Sequence, residues 1–258
     1  MIRFIASLVL SFALICSQAS AGFLLNSFAI KGPLQFVGYT SATGSSGTLS
    51  VAATGLTGGV SSSIQAGDLV VVVSNACATS NLNMTASGSG FTWTEDQDLF
   101  ANSSSADTNA GVHWTIATGA GSGSITLTGS GAGTSGATAM LAAFRNVNST
   151  QFDAATTSSS QTAASSADPP SITTVTDGAL VLAIGAGCRN TASISAYTAP
   201  SGYTLIDAFT DNQSTRSSWL AVAYKTIATA GAENPGSMEN HGGTSGNSSY
   251  ANTVAVRP

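Results

Sequence analysis

Glu95, Asp96 and Asp98 in "TEDQD" (94–98) are the tightest group of acids in a chain holding only 12 Asp and Glu. Three carboxylates within four residues are raw material for calcium, a hard cation that takes six to eight oxygen ligands. No D-x-D-x-D-G ligand loop surrounds them, so the plainer reading is a solvated acidic loop that lends solubility. For glycoside hydrolysis, a partner carboxylate would have to sit roughly 5–9 Å away across a cleft. Asp98, Asp107 and Asp211 qualify by type, and nothing in the sequence selects among them. Other chemistry is scarce. There are two histidines, His113 and His241, with no H-x-x-H or C-x-x-C spacing, so the usual zinc sites lack ligands. No G-x-S-x-G nucleophile elbow occurs. One G-x-G-x-x-G match, at Gly131, Gly133 and Gly136, is followed by the strand-like "TAMLAAF" where a nucleotide fingerprint needs a helix. No enzyme and no cofactor are expected.

Aromatic residues offer a different chemistry. Trp93, Tyr203 and Trp219 have faces on which sugar rings could stack, the device of non-catalytic glycan binders. The competing reading is core, because large rings bring the most buried area to a sandwich. His113 beside Trp114 is read the same way, as packing. Cys77 and Cys188 are separated by 188 − 77 = 111 residues. A disulfide between them needs Cα atoms within about 7 Å. The plainer reading, one buried cysteine inherited twice, is preferred.

The elements that would position these residues follow from composition and repetition. Charged residues make up 7% of the 258-residue chain, against roughly 25% in an average soluble domain. With a net charge of −5 and seven scattered Lys and Arg, phosphate neutralisation of a nucleic acid is not expected. Arg3, the uncharged run Phe4–Cys16 and "ASA" at 19–21 form a secretory leader cleaved after Ala21, with an uncleaved anchor as the alternative. Its apolar core is short for a membrane span, which takes about 20 residues. No stable span is expected in the mature chain.

Beyond an extension at 22–35, sequence blocks recur in order. "GDLVVVV" (67–73) falls on "GALVLAI" (178–184) and "TIAT" (115–118) on "TIAT" (226–229), both at an offset of 111. "GFTW" (90–93) and "GYTL" (202–205) are 112 apart, "TSG" (134–136) and "TSG" (244–246) 110, and "AFR" (143–145) and "AVR" (255–257) 112. Five collinear blocks indicate two units, 36–147 and 152–258, each opening at a Phe and joined by the short "NST" (148–150). At the 111 offset His113 falls on Tyr224. Alternation in "GVHWTIAT" places Val112, Trp114 and Ile116 on one face; "SITLT" (124–128) and "TLSVA" (48–52) alternate likewise. "LVVVV" (69–73) and "LVLAI" (180–184) read as central strands covered on both faces. The expected fold is all-β, two tandem β-sandwich units of about 110 residues, jelly-roll or immunoglobulin-like.

The order "SGTLSV … IQAGDLVVVV … GFTW … WTIATGAGSGSITLT … TAMLAAFRNV … FDAA" resembles a module of phage tail-fibre and related virion proteins and of secreted bacterial proteins. In the second unit the pattern continues as "DGALVLAI", "PSGYTLI", "AVAYKTIATAGAENPG" and "NTVAVRP". The resemblance spans nearly all of 36–258 and rests on structural motifs. It implies a β-sandwich used for attachment or display, with self-association or other virion or cell-surface proteins as partners, and it supplies no catalytic residues. Virion proteins assemble in the cytoplasm, so the leader favours the secreted branch. The expectation is a structural or adhesive protein, secreted or virion-borne. The alternative is a secreted carbohydrate-binding or carbohydrate-cleaving protein.

Overall fold

The computed structural model describes residues 32–45, 47–103, 106–130, 135–162, 166–190, 197–212, 216–238 and 248–258. The leader assigned to 1–21, most of the extension, His241 and the second "TSG" lie outside them. Fifteen strands are named in chain order. They are β1 (Gln35–Gly44), β2 (Thr48–Ala52), β3 (Leu69–Ala78), β4 (Asn83–Gly88), β5 (Thr94–Ala101), β6 (Asp107–Ile116), β7 (Ser124–Ser130) and β8 (Gly136–Arg145). There follow β9 (Phe152–Thr162), β10 (Ile172–Thr173), β11 (Ala179–Arg189), β12 (Thr204–Asn212), β13 (Ser217–Ile227), β14 (Ala232–Glu233) and β15 (Ser248–Val256). Among the described residues no helix is long and apolar enough to cross a membrane. "TAMLAAF", behind the glycine motif, is strand β8, so the helix a nucleotide fingerprint requires is absent there.

Two five-stranded antiparallel sheets dominate, in the orders β1-β8-β3-β6-β5 and β12-β13-β11-β15-β9. Read from the β1 and β9 edges, the two orders are the same. A three-stranded sheet, β2-β7-β4, covers the first sheet, so that Val70 and Val72 pack with Val51, Ile125 and Leu127. Strands 1-8-3-6 over 2-7-4 follow the winding of a jelly roll. The short pair β10–β14 and the Tyr197 and Trp219 rings cover the second sheet.

The other faces of the large sheets meet each other. Leu69, Val71 and Val73 of β3 share one core with Leu180, Leu182 and Ile184 of β11. β3 and β11 are therefore buried on both faces, which explains why "LVVVV" and "LVLAI" show no alternation. On β6, Val112, Trp114 and Ile116 all turn to this shared core, as their period of two requires. Contacts across it are reciprocal. β13 meets β3 and β8 while β6 meets β11 and β15; β12 meets β1 and β8 while β5 meets β9 and β15. Such reciprocity is the signature of an approximate twofold relation. Residues Pro33–Pro258 make one compact unit, in which 36–147 and 152–258 each contribute one large sheet.

Strand pairing corrects the register of two repeats. Val71 and Leu182 are equivalent at 182 − 71 = 111, and they pair with Trp114 and Tyr224 respectively, which differ by 224 − 114 = 110. The structural counterpart of Thr115 is therefore Lys225, and that of His113 is Ala223, not Tyr224. The two "TIAT" words lie one residue out of step. Likewise Thr94 and Thr204 occupy the same place, an offset of 110, where "GFTW" and "GYTL" gave 112. A one-residue slip would swap the faces of every side chain, so burial fixes register more strictly than a four-letter identity does. "AFR" and "AVR" keep their offset, since Phe144 and Val256 pair with Leu69 and Leu180. Each half also carries a bulge in its edge strand, with Asp96 and Ile206 as the extra residues.

Candidate functional site

The bulge in β5 separates the three neighbouring acids. Glu95 pairs with His113 and Asp98 with Gly111, so both lie on the face turned away from the second sheet. Asp96 is the extra residue between them and turns inward toward Thr156 of β9. Among the described residues no three His, Cys, Asp or Glu side chains are grouped to hold a metal. The calcium reading of Glu95, Asp96 and Asp98 is therefore not supported: the bulge puts Asp96 on the opposite face of the sheet from the other two. Burial raises the carboxyls of Asp96 and Asp98 above the usual range. A hydrogen bond from the Met84 backbone opposes the shift at Asp98, and the charge of Glu95 adds to it.

His113 is 3% exposed, and its Nε2 lies 4.0 Å from Glu95 Oε2, whose side chain is half exposed. Burial lowers the imidazole pKa, while Glu95 and the Met84 backbone act in the opposite sense. His113 Nδ1 has no hydrogen-bond partner. Ser74 shares this face, but its hydroxyl is fully buried and directed at Gly111 O, 3.5 Å away. Burial thus favours the neutral form of this packed imidazole. The remaining glycosidase candidates serve the backbone. Asp107 accepts from Ser103 N–H at 2.7 Å, and Asp211 accepts from Ala137 N–H of the other sheet at 3.3 Å.

Cys77 and Cys188 form a disulfide with Cα atoms 5.5 Å apart. The reading of two separate buried thiols gives way, because the twofold relation brings equivalent residues together at the axis. Polar groups surround the bond. Asn75 Nδ2 donates across the interface to Gly187 O and Ser218 Oγ, both at 2.9 Å. The hydroxyls of Thr138 and Ser218 lie 2.9 Å apart, and those of Thr108 and Ser248 2.6 Å. These directional bonds fix one arrangement of the two sheets, which apolar contact alone specifies less sharply.

The three candidate stacking rings have separate fates. Trp219 is fully buried and stacked on Tyr197, centroids 5.0 Å apart and planes 18° apart, so it offers no face to a sugar. The absence of side chains at Gly185 and Gly187 lets the indole lie against β11. Tyr203 is largely buried; its hydroxyl donates to Glu233 Oε1 at 3.1 Å, and Lys225 Nζ stands 5.6 Å from its ring centre. Trp93 keeps part of its ring at the surface, edge-on to Phe91 at 6.0 Å, and donates to Gly88 O. Phe91, visible in "GFTW", completes that pair.

Two ion pairs lay unread in "AFR" and "AVR". Arg145 grips Asp68 with Nε at 2.9 Å and Nη2 at 2.8 Å, while Asp68 also accepts from Gln65 N–H. Arg257 meets Asp153 at 3.2 Å, and Asp153 accepts from the Val175 and Thr176 N–H groups at 2.6 and 3.1 Å. Burial would raise the Asp153 carboxyl, but the Thr176 side chain, the two backbone N–H groups and Arg257 together hold it below its usual range. Each arginine thus pins the loop before a central strand through an acid that comes from a different element in each half. No protein-family model matches the chain, and no curated protein matches it.

Proposed function

We propose that the chain is a non-enzymatic structural or attachment module that works outside the reducing cytoplasm, on a cell surface or a virion. The observation that carries this reading is the buried Cys77–Cys188 bond at the centre of two sheets sharing one core. Disulfides persist in oxidising compartments, and this one links residues 111 apart, so it stiffens the whole doubled sandwich rather than a local loop. Rigid scaffolds of this kind hold binding loops at strand ends. The cysteines end equivalent strands, β3 and β11, so equivalent strand ends of both halves lie side by side. The reading is tested with purified oxidised protein in pull-downs on whole cells and particles, together with sedimentation over a concentration series. Retention on a surface or assembly into larger species is expected. A monomer that binds neither cells nor particles would sink it.

A second reading, glycan binding, is favoured by one feature, the half-exposed Phe91–Trp93 pair on the outer side of the first sheet. A glycan array comparing the native protein with Trp93→Ala decides it; equal blanks remove it.

A further inference from the structure

We propose that the groove where the start of β1 and the 58–60 loop meet β11 and β13 is a binding site for a neutral sugar ring. Its volume is about 400 Å³, within the range of small-ligand sites. Leu34, Phe36, Val60 and Leu180 supply its apolar surface, and Gln35, Tyr224 and Thr226 its polar side chains. None of the residues that line it is charged. Among the described residues, the side chains of Gln35, Tyr224 and Thr226 have no hydrogen-bond partner, so their polar groups are open to a ligand. The wall is fixed before any ligand arrives. Val60 N–H donates to Phe36 O at 3.2 Å and Ser61 N–H to Val37 O at 3.0 Å. Gly59 lies so close to the Val37 backbone that a Cβ there would collide with it. The pinned loop holds Val60 63% exposed at the rim. A wall set in advance spares the ligand the entropy of ordering a loop.

The class of ligand follows from what each alternative would leave behind. A wholly apolar ligand would strip water from Gln35, Tyr224 and Thr226 and return no hydrogen bond. An ion would lose hydration without meeting a counter-charge. A sugar ring is neutral and carries both an apolar C–H face and a rim of hydroxyls. Phe36 and Tyr224, with ring centres 5.5 Å apart, provide aromatic surface for such a face. The site gives the attachment reading a ligand class and rests on that reading for its role. Binding itself is measured without cells or particles, so the two fail separately.

The other half of the molecule shows what distinguishes this groove. Tyr224 and Thr226 pair with Leu182 and Leu180, while Trp114 and Ile116 pair with Val71 and Leu69. Tyr224 is therefore the counterpart of Trp114, and Thr226 of Ile116. Phe36 and Phe152 are counterparts too, through their partners Phe144 and Val256. The Phe36–Tyr224 contact thus repeats the Trp114–Phe152 contact, whose ring centres lie 5.3 Å apart. Where one half places an indole and an isoleucine, the other places a phenol and a threonine, which are smaller and carry hydroxyls. Packing of the shared core, which the first pair already achieves, does not call for those hydroxyls.

The test is titration of the oxidised full chain with the methyl glycosides of glucose, galactose, mannose and N-acetylglucosamine. Binding is followed by saturation-transfer NMR and by the amide signals of Gly58 and Gly59. Saturable binding of at least one glycoside, with shifts at both glycines, is expected. Thr226→Ile and Tyr224→Trp bring in the side chains that the other half folds with, and each should weaken binding by about tenfold or more. The glycine shifts are read on the unmutated protein and stand even if a variant fails to fold. A site at the Phe91–Trp93 pair would respond to Trp93→Ala and not to Thr226→Ile, and that pattern would overturn the proposal. Equal binding of cyclohexanol would make the groove a nonspecific apolar surface and overturn it, as would no binding of any glycoside.

Discussion

His113 is the residue at which burial and charge disagree most clearly. Burial lowers its pKa from the ordinary 6.5, and Glu95 only partly offsets this. The unfolded chain therefore takes up the proton first as pH falls. Stability is intact above about pH 6.5 and declines below it, down to the lower pKa of the folded state, by at most about 1.4 kcal/mol per pH unit. The raised carboxyls of Asp96 and Asp98 carry the opposite sign, because there the folded state takes up protons first, and they act in the acid range. Urea unfolding at pH 7.5 and 5.5 should show the native protein losing stability on acidification and a His113→Gln variant losing less. Equal losses in both would show that His113 is not the group responsible. The sequence could not reveal this. It identified a histidine next to a tryptophan on a strand, but the acid opposite it is set by the pairing of β5 with β6.

At the scale of elements, the outer faces of the two large sheets solve one problem in different ways. The first is covered by a whole sheet, β2-β7-β4, and the second by the Trp219–Tyr197 stack with the short β10–β14 pair. The stack depends on a groove in β11. A Cβ at Gly187 would collide with the Trp219 indole and stand 2.7 Å from Ser248 O, a backbone atom that cannot swing away. Gly187→Ala should therefore destabilise by roughly 1–3 kcal/mol, in the range of core overpacking. Shifts in denaturation midpoint and in tryptophan emission would report it, and an unchanged midpoint would contradict the packing described. The strand assignments for "TLSVA" and "SITLT" were visible in the sequence because each strand buries one face and turns the other toward solvent, and that for "GVHWTIAT" because its apolar residues at 112, 114 and 116 keep a period of two toward the shared core. The fate of Trp219 was not, since its groove is made by glycines 32 and 34 residues away on a neighbouring strand.

For the whole molecule the disulfide is the decisive connection. It closes 111 residues, and loop-closure entropy for about 100 residues corresponds to about 4.7 kcal/mol in the chain-entropy account. Reduction, or Cys188→Ser, should thus lower stability by several kcal/mol while leaving the β-rich circular dichroism in place. The apolar core between the sheets and the Asn75 and Thr138 bonds to Ser218 remain. Separate unfolding transitions for 36–147 and 152–258 in the reduced protein would mean that the shared core contributes little. A single transition of lower midpoint is expected.

Sequence alone determined the strand class, the strand faces and the recurrence of one arrangement, because these follow from local periodicity and from copies that kept their order. It also placed the two cysteines at equivalent positions. Tertiary structure decided what those positions mean. The "TIAT" repeat lost its register, since pairing is governed by which face is buried and not by letter identity. The acids at 95–98 divided between two faces, since a bulge turns one of them inward. The cysteines bonded, since the two sheets meet about an approximate twofold axis. Each outcome depends on contacts between residues distant along the chain, from 113 − 95 = 18 positions for Glu95 and His113 to 111 for the two cysteines, and no local pattern encodes where such partners will stand.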